Sequence, residues 1–493
     1  MATTPTSILR RPRRPRLTGP EGHATLRAAV ASLLLAALVG AIVHKLGVKS
    51  LVIPAGLVVA ALALGAPGWV AFAAFALPVM VEQGDGGLIP IGHFLYTQLA
   101  HHTLSPFELV VLVLAISVPL TAYARGRPLA PPRPFVAPLA LLALALLAGT
   151  IVGRSNGAPV KAIILDLHPF VLLLLLPLLV ANVLDDTSKL QRAVTVLWAL
   201  ASLKALLGLL SLPLHHAASA LGTGTPLTYY EPAGNFVMLL ALATLVAALM
   251  RRVPTPVWAR AGGLLCLAAL VLSYRRSFWI AAVLALAIVV TLAAGPVARR
   301  LAVPLAVLVV AAGWVAISGG LVTESQSPVI QRATSLSPTA VSANAEDRYR
   351  LDERRNVLAE VRAHPISGLG VEVPWAQRYP LSVQQVNGQY YVHMTLLWYW
   401  LKLGILGPIA YLWLSVAAIL TGWRVWRRHH DDLVRAAGLA IAGSLVGLMV
   451  AELTASFTGV DIRLTAVVAV LFGFLAAARR DAIQGARAAS GAA

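Results

Sequence analysis

Two arginines, Arg275 and Arg276, sit between two apolar runs in the short turn Tyr274-Arg275-Arg276-Ser277. Charge is costly toward the centre of a bilayer. Such a pair either snorkels its guanidiniums to water or clamps an anion, most naturally a phosphate, through bidentate hydrogen bonds. Further along, Glu346-Asp347-Arg348-Tyr349-Arg350-Leu351-Asp352-Glu353-Arg354-Arg355 supplies more arginine. Five arginines face five acids between Glu346 and Arg362, so a salt-bridged solvent helix is the competing reading there. His393 opens the next apolar run, and histidine is the side chain whose unperturbed pKa suits proton transfer near neutrality. Lys402 follows about 13 Å deeper at helical rise. Tyr229-Tyr230-Glu231-Pro232 offers a carboxylate just before the run that begins near Asn235.

The elements that must hold these groups are membrane helices. Residues are 58% hydrophobic and 12% charged, with a mean hydropathy of +0.79, far more apolar than a soluble domain. Apolar runs recur at 26–43, 50–65, 67–82, 107–124, 135–152, 162–182, 190–214, 233–250, 258–273, 277–293, 300–318, 394–421, 433–453 and 462–477. About 12–14 of them are expected to span as helices, because strand alternation is missing and only helices or closed barrels satisfy the backbone in lipid. The formal charge of +19 gathers as arginine in the N-terminal arm, at Arg125/Arg127/Arg133, Arg251/Arg252/Arg260, Arg299/Arg300, Arg424/Arg427/Arg428 and Arg479/Arg480. Counting spans puts every cluster on one side, the positive-inside pattern, with both termini expected in the cytoplasm. The basic excess is thus a topology signal, and no nucleic-acid partner is expected.

This divides the chain into a basic arm (1–25), a first membrane part (26–318), a large external loop lobe (319–393), a last membrane part (394–477) and a tail (478–493). The lobe, roughly 75 residues, far exceeds an ordinary connection. Leu351, Leu358 and Val361 recur at helical spacing and predict an amphipathic helix ended by Pro365. The first apolar run lacks a small-residue cleavage site and reads as a retained anchor. Cys266 is the single cysteine, which excludes disulfides within the chain. The doublets His101-His102 and His215-His216 lack the i,i+4 spacing of a helical metal pair, and no Asp-x-Asp or Gly-Lys-Ser/Thr occurs. No metal or cofactor is expected. Asp166 and His168 read as an interfacial pair, and Lys204 as a residue that snorkels or meets an anionic head group.

Taken in order, the motifs resemble the O-antigen ligase and polymerase-like family of membrane glycosyltransferases. The matching features are Gly234-Asn235 opening a span, Arg275-Arg276 at a span junction, Arg350 in a large loop, and His364-Pro365-Ile366-Ser367-Gly368-Leu369-Gly370, similar to His-Pro-x-x-Gly-x-Gly. His393 then precedes Gly404-Ile405-Leu406-Gly407, similar to a histidine followed by Gly-x-x-Gly. Two positions depart from the pattern: Met394 replaces a small polar residue, and Lys402 stands where an acid is common. The resemblance spans roughly residues 220–415 and implies a GT-C-like all-α membrane fold. It also implies transfer of a glycan from a polyprenyl-diphosphate carrier to a glycan or glycolipid acceptor at the outer face of the cytoplasmic membrane, without metal and with inversion. Under it, Arg276, Arg350 and His393 are catalytic, and Arg275, Arg348, Glu231, Tyr230, Asn235 and Lys402 bind substrate. A transporter or flippase, or a partner-binding membrane subunit, would share the span count. A transporter should place its polar groups near mid-membrane, whereas most here crowd one boundary.

Overall fold

Local signals start several of the helices. Proline stands in the first turn of α1 (Pro67–Met80), α2 (Pro106–Ala124) and α6 (Pro232–Met250), where a missing N–H costs nothing. Ser105 and Glu108 close a capping box on α2, and Asp186 caps α5 (Thr187–Leu210) by accepting from Lys189 N at 2.9 Å. Asp431 and Asp461 do the same for α12 (Asp432–Ala451) and α13 (Ile462–Ala489). The remaining helices are α3 (Val136–Ser155), α4 (Val160–Val183), α7 (Val257–Val271), α8 (Arg276–Ala293), α9 (Ala345–Ala363), α10 (Thr395–Leu403) and α11 (Leu406–Arg428). This computed structural model describes residues 65–82, 95–96, 104–212, 228–229, 231–294, 345–381 and 388–490. From Ala66 onward they belong to one unit.

The protein is an all-α, polytopic membrane protein. Nine of the described helices, α2–α6, α8 and α11–α13, are long and apolar enough to cross a bilayer, while α1 and α7 are apolar but shorter. They coincide with eleven of the predicted runs. Runs 26–43 and 300–318 lie outside the described residues, as does 50–65 apart from Gly65. Two predictions need correcting. The run 394–421 is two helices, because Gly404 takes φ +65° and ends α10. α13 continues past 477 to Ala489, since alanine, arginine and glutamine prolong a helix after its apolar run ends.

The core is formed by α6, α12 and α13, whose apolar windows are 83%, 72% and 83% buried. α12 packs along α6, α8 and α11, and α13 along α4. Peripheral helices turn large apolar residues outward, among them Leu112, Ile116 and Leu120 on α2 and Ile409, Trp413, Val416 and Leu420 on α11. In water this would be an aggregation hazard; in lipid it is the expected surface. Several of the described basic residues share one set of helix ends: Arg479 lies in the field of Arg133, Arg424 and Arg428, and Arg251 pairs with Asp432 at 2.7 Å. α9 and the starts of α8 and α10 belong to the opposite ends, called here the lobe side.

Candidate functional site

The turn between α7 and α8 is held tightly. Tyr274 has φ +53°, a left-handed conformation that is strained for a bulky residue. Around it, Ser273 Oγ donates to Leu270 O at 2.7 Å, and Trp279 Nε1 donates to the same carbonyl at 2.9 Å. The reversal aims Arg275 and Arg276 in different directions. Arg275 lies 5.0 Å from the Phe457 ring and 5.8 Å from that of Phe278, within cation–π range. Arg276 Nη2 reaches both carboxylate oxygens of Asp347 on α9, at 3.0 and 2.9 Å, and both side chains are largely buried.

α9 is helical as predicted, but its buried face differs from the one its leucines suggest. Leu351 is 49% exposed, and the buried positions are Tyr349, Glu353, Asn356, Val357, Glu360 and Val361. Partners remote in sequence make polar burial possible. Asn356 Oδ1 accepts from the backbone of Arg378 and Tyr379, each at 2.7 Å, and Glu360 accepts from Arg378 Nε at 2.8 Å. Glu353, 1% exposed, accepts from the backbone N–H of His393 at 2.7 Å. Both of its oxygens also lie 3.1 Å from His393 Nδ1, and Tyr349 Oη donates to it at 3.2 Å. A carboxylate there favours a proton on Nδ1 and so leaves Nε2 as the basic nitrogen. Burial first, then Glu353, pushes the Tyr349 phenol above its ordinary pKa and keeps it a donor.

The rings of Tyr391 and His393 meet edge-on with centroids 4.7 Å apart. Tyr391 gathers the site: its hydroxyl donates to Ser456 O at 3.2 Å, and its phenol lies in the fields of Glu353, Arg275 and Arg350. Burial wins over the arginines and raises its pKa. Arg275, Arg276, Arg350 and His393 therefore gather at one seam between α9, the α7–α8 turn and the start of α10.

Two further segments fix that seam. The Gly368-Leu369-Gly370 stretch is a backbone clasp: Leu369 N donates to Leu401 O at 2.7 Å, Val371 N to Gly149 O at 3.0 Å, and Ile405 N to Ile366 O at 3.1 Å. A Cβ on Gly368 would stand 2.5 Å from Leu401 O, one on Gly370 2.2 Å from Gly153 N, and one on Gly404 2.0 Å from Ile366 O. The spaced glycines are needed because main chain lies on main chain. The second segment is the α12–α13 loop, where Ser456 Oγ donates to Val392 O at 2.5 Å and Thr395 N donates to Glu452 O at 3.1 Å. It brackets His393 on both sides. Neither this loop nor Glu353 stands out in the sequence; a loop serine lacks a signal, and Glu353 is hidden among paired charges.

The other predicted contacts fall elsewhere. Arg348 is exposed and lies roughly 140° around α9 from Glu353 at 100° per residue, so the helix does not bring it to His393. Glu231 and Asn235 belong to a second cluster. There Lys204 is 2.8 Å from Glu82 and 3.1 Å from Glu231, and Arg463 is 2.9 Å from Glu231. Lys204 is fully buried, so it neither snorkels nor meets a head group as predicted. Asn235 Nδ2 holds Tyr229 O at 3.0 Å and Glu231 O at 2.8 Å, and Gly234 leaves room for Glu231 and Lys204. Lys402 is buried in a third group with Asp166 and Glu372, donating to Val373 O at 3.4 Å. Asp166 and His168 do not pair with each other; His168 Nδ1 is 2.7 Å from Glu108. Tyr230 and the doublets His101-His102 and His215-His216 lie outside the described residues.

At the arginine-rich ends, His429, His430 and Asp481 offer ligand atoms within 4.8 Å of one another. His429 Nδ1 accepts from Asp431 N at 3.0 Å, so a neutral ring carries its proton on Nε2 and donates to Asp481 at 3.0 Å. This is a hydrogen-bond network rather than a prepared ligand set.

No curated protein matches the chain. Residues 261–412, which carry the arginine turn, α9, the glycine clasp, His393 and Gly404–Gly407, match the family model described as O-antigen ligase. Over this stretch the protein is similar to the O-antigen ligase family.

Proposed function

We propose that this protein moves a glycan from a polyprenyl-diphosphate-linked donor to a hydroxyl of a glycan or glycolipid acceptor. The reaction takes place at the outer face of the cytoplasmic membrane, with both termini in the cytoplasm. The observation that carries the reading is the buried Glu353 against His393 Nδ1, beside arginines from two remote segments. His393 Nε2 takes the acceptor proton as general base, and Glu353 steadies the imidazolium that forms. The acceptor oxygen bonds to the anomeric carbon as the bond from that carbon to the phosphate oxygen breaks, with inversion. The diphosphate leaves with the electron pair, and Arg275, Arg276 and Arg350 offset its charge. Arg276 is held by Asp347 here, so the donor must compete with that carboxylate. Arginine supplies the positive charge, and no divalent ion is needed.

Purified protein with lipid-linked donor and acceptor tests this. His393→Ala, Arg276→Ala and Arg350→Ala should each abolish transfer while the protein still accumulates in the membrane, and a chelator should leave the wild-type rate intact. Retained transfer in all three variants would overturn the assignment. Solute movement across proteoliposomes without chemical change would favour the transporter reading. In a deletion strain, loss of long chains marks a polymerase, and full-length unattached chains mark a ligase.

A further inference from the structure

α9 sorts its charges between two faces. Asp347, Glu353 and Glu360 turn toward the protein, to Arg276, His393 and Arg378. Asp352 stays nearer the surface, 3.8 Å from Arg355. Arg348, Arg354, Arg355 and Arg362 are exposed, Arg355 by 73% of its side chain. Among the described residues, Arg348, Arg354 and Arg362 have no carboxylate at salt-bridge distance. The competing reading, a salt-bridged solvent helix, therefore holds on this face only for the pair Asp352–Arg355 among the described residues.

Arg348, Arg355 and Arg362 recur at seven-residue steps, so they drift only about 20° per step and make one stripe roughly 20 Å long. Arg354 lies on the edge shared with Asp347 and Arg350, which leads toward the Arg276 turn. The stripe lies on the lobe side, away from Arg133, Arg424, Arg428 and Arg479 at the other helix ends, where positive charge is disfavoured if that side is the translocated one. A helix lying in the lipid interface would expose an apolar face. Here Tyr349, Val357 and Val361 are buried in protein, and Leu351 is the one large apolar residue exposed on α9. The face suits a polyanion in water better than lipid.

We infer that the exposed arginine face of α9 is the docking surface for a polyanionic glycan, the phosphate- or carboxylate-bearing acceptor of the transfer reaction. Guanidinium forks match both kinds of oxyanion. A spacing of about 10 Å along the stripe fits a chain bearing several charges rather than one isolated anion. The acceptor lies along α9 and presents its hydroxyl past Arg354 and Arg350 to His393. This rests on the proposed glycan transfer for the acceptor's role, though the binding itself can be measured without turnover.

The test uses full-length protein in nanodiscs of zwitterionic lipid, with polygalacturonate and phosphorylated dextran as probes and uncharged dextran as reference. Wild-type protein should bind both anionic probes, with affinity falling as salt rises, and should not bind uncharged dextran. The triple variant Arg348→Gln/Arg355→Gln/Arg362→Gln should bind them at least about tenfold more weakly, three exposed charge contacts each contributing roughly two- to fivefold. Arg125→Gln/Arg127→Gln on the opposite ends should bind as wild type, and thermal melting of each variant checks folding. Equal binding by the triple variant would overturn the inference, as would a loss confined to vesicles containing anionic lipid. Loss of glycan binding in a system where wild type transfers nothing would sink the proposed reaction and leave the docking surface standing. Normal binding and transfer by the triple variant, with His393→Ala inactive, would do the reverse. If both stand, the triple variant's defect falls on the acceptor KM rather than on kcat.

Discussion

Replacing Glu353 with glutamine keeps the side chain's size and exchanges an anion for a neutral amide. In the folded protein the carboxylate accepts from His393 N at 2.7 Å, faces Nδ1 of the same residue at 3.1 Å through both oxygens, and accepts from Tyr349 at 3.2 Å. An amide has one acceptor oxygen. If that oxygen keeps the backbone N–H, the NH₂ group faces Nδ1 and favours the tautomer protonated on Nε2, the nitrogen needed as base. Hydrogen bonds to a charged group contribute about 1.5–3 kcal/mol, and a positioned general base contributes roughly 10²–10⁴ in rate. The expected result is a fall in kcat of about 10²–10⁴-fold, with donor KM changed far less and the protein still folded. Single-turnover transfer from purified donor, run across pH, measures it. Glu353→Asp should recover part of the rate. If Glu353→Gln turned over within about threefold of wild type while His393→Ala were inactive, the orientation argument would fail.

Three other expectations concern the scaffold. Gly404→Ala places a methyl 2.0 Å from Ile366 O at φ +65° and should lower the melting temperature by a shift corresponding to roughly 2 kcal/mol or more, whereas Gly126→Ala, at φ +62° with nothing within 4 Å, should cost only about 1 kcal/mol. Lys204→Met leaves the largely buried carboxylates of Glu82 and Glu231 without their shared lysine and should cost about 3–5 kcal/mol. Adding Glu82→Gln should return much of that, read as melting temperature and yield in the membrane. Burial, then repulsion from Asp166, raises the Glu372 carboxyl above its ordinary range, against the pull of Lys402. An acid with a raised folded pKa contributes stability that is present below its unfolded pKa and lost as pH rises through the folded value. Glu372→Gln should therefore raise the melting temperature at pH 7.5 relative to wild type, and the difference should vanish below the ordinary glutamate pKa of 4.5.

The spans were legible because hydropathy, proline and capping residues act over a few neighbouring positions. The break at Gly404 was not, since it follows from Ile366 O pressing on that glycine from 38 residues away in sequence. Nor was the buried face of α9. Leucine spacing pointed to Leu351, but Glu353, Asn356 and Glu360 are buried because His393, Arg378 and Tyr379 return to meet them.

The sequence by itself determined that this is a helical membrane protein, where most of its spans lie, and that arginine and histidine recur in the order shared with O-antigen ligase. Those are local properties, read from runs and spacings. Only the tertiary structure decided which charge answers which. Arg276 meets Asp347 across 71 positions, His393 meets Glu353 across 40, and Arg463 meets Glu231 across 232. Such pairings depend on how helices pack, and a one-dimensional pattern of charge holds no record of that geometry.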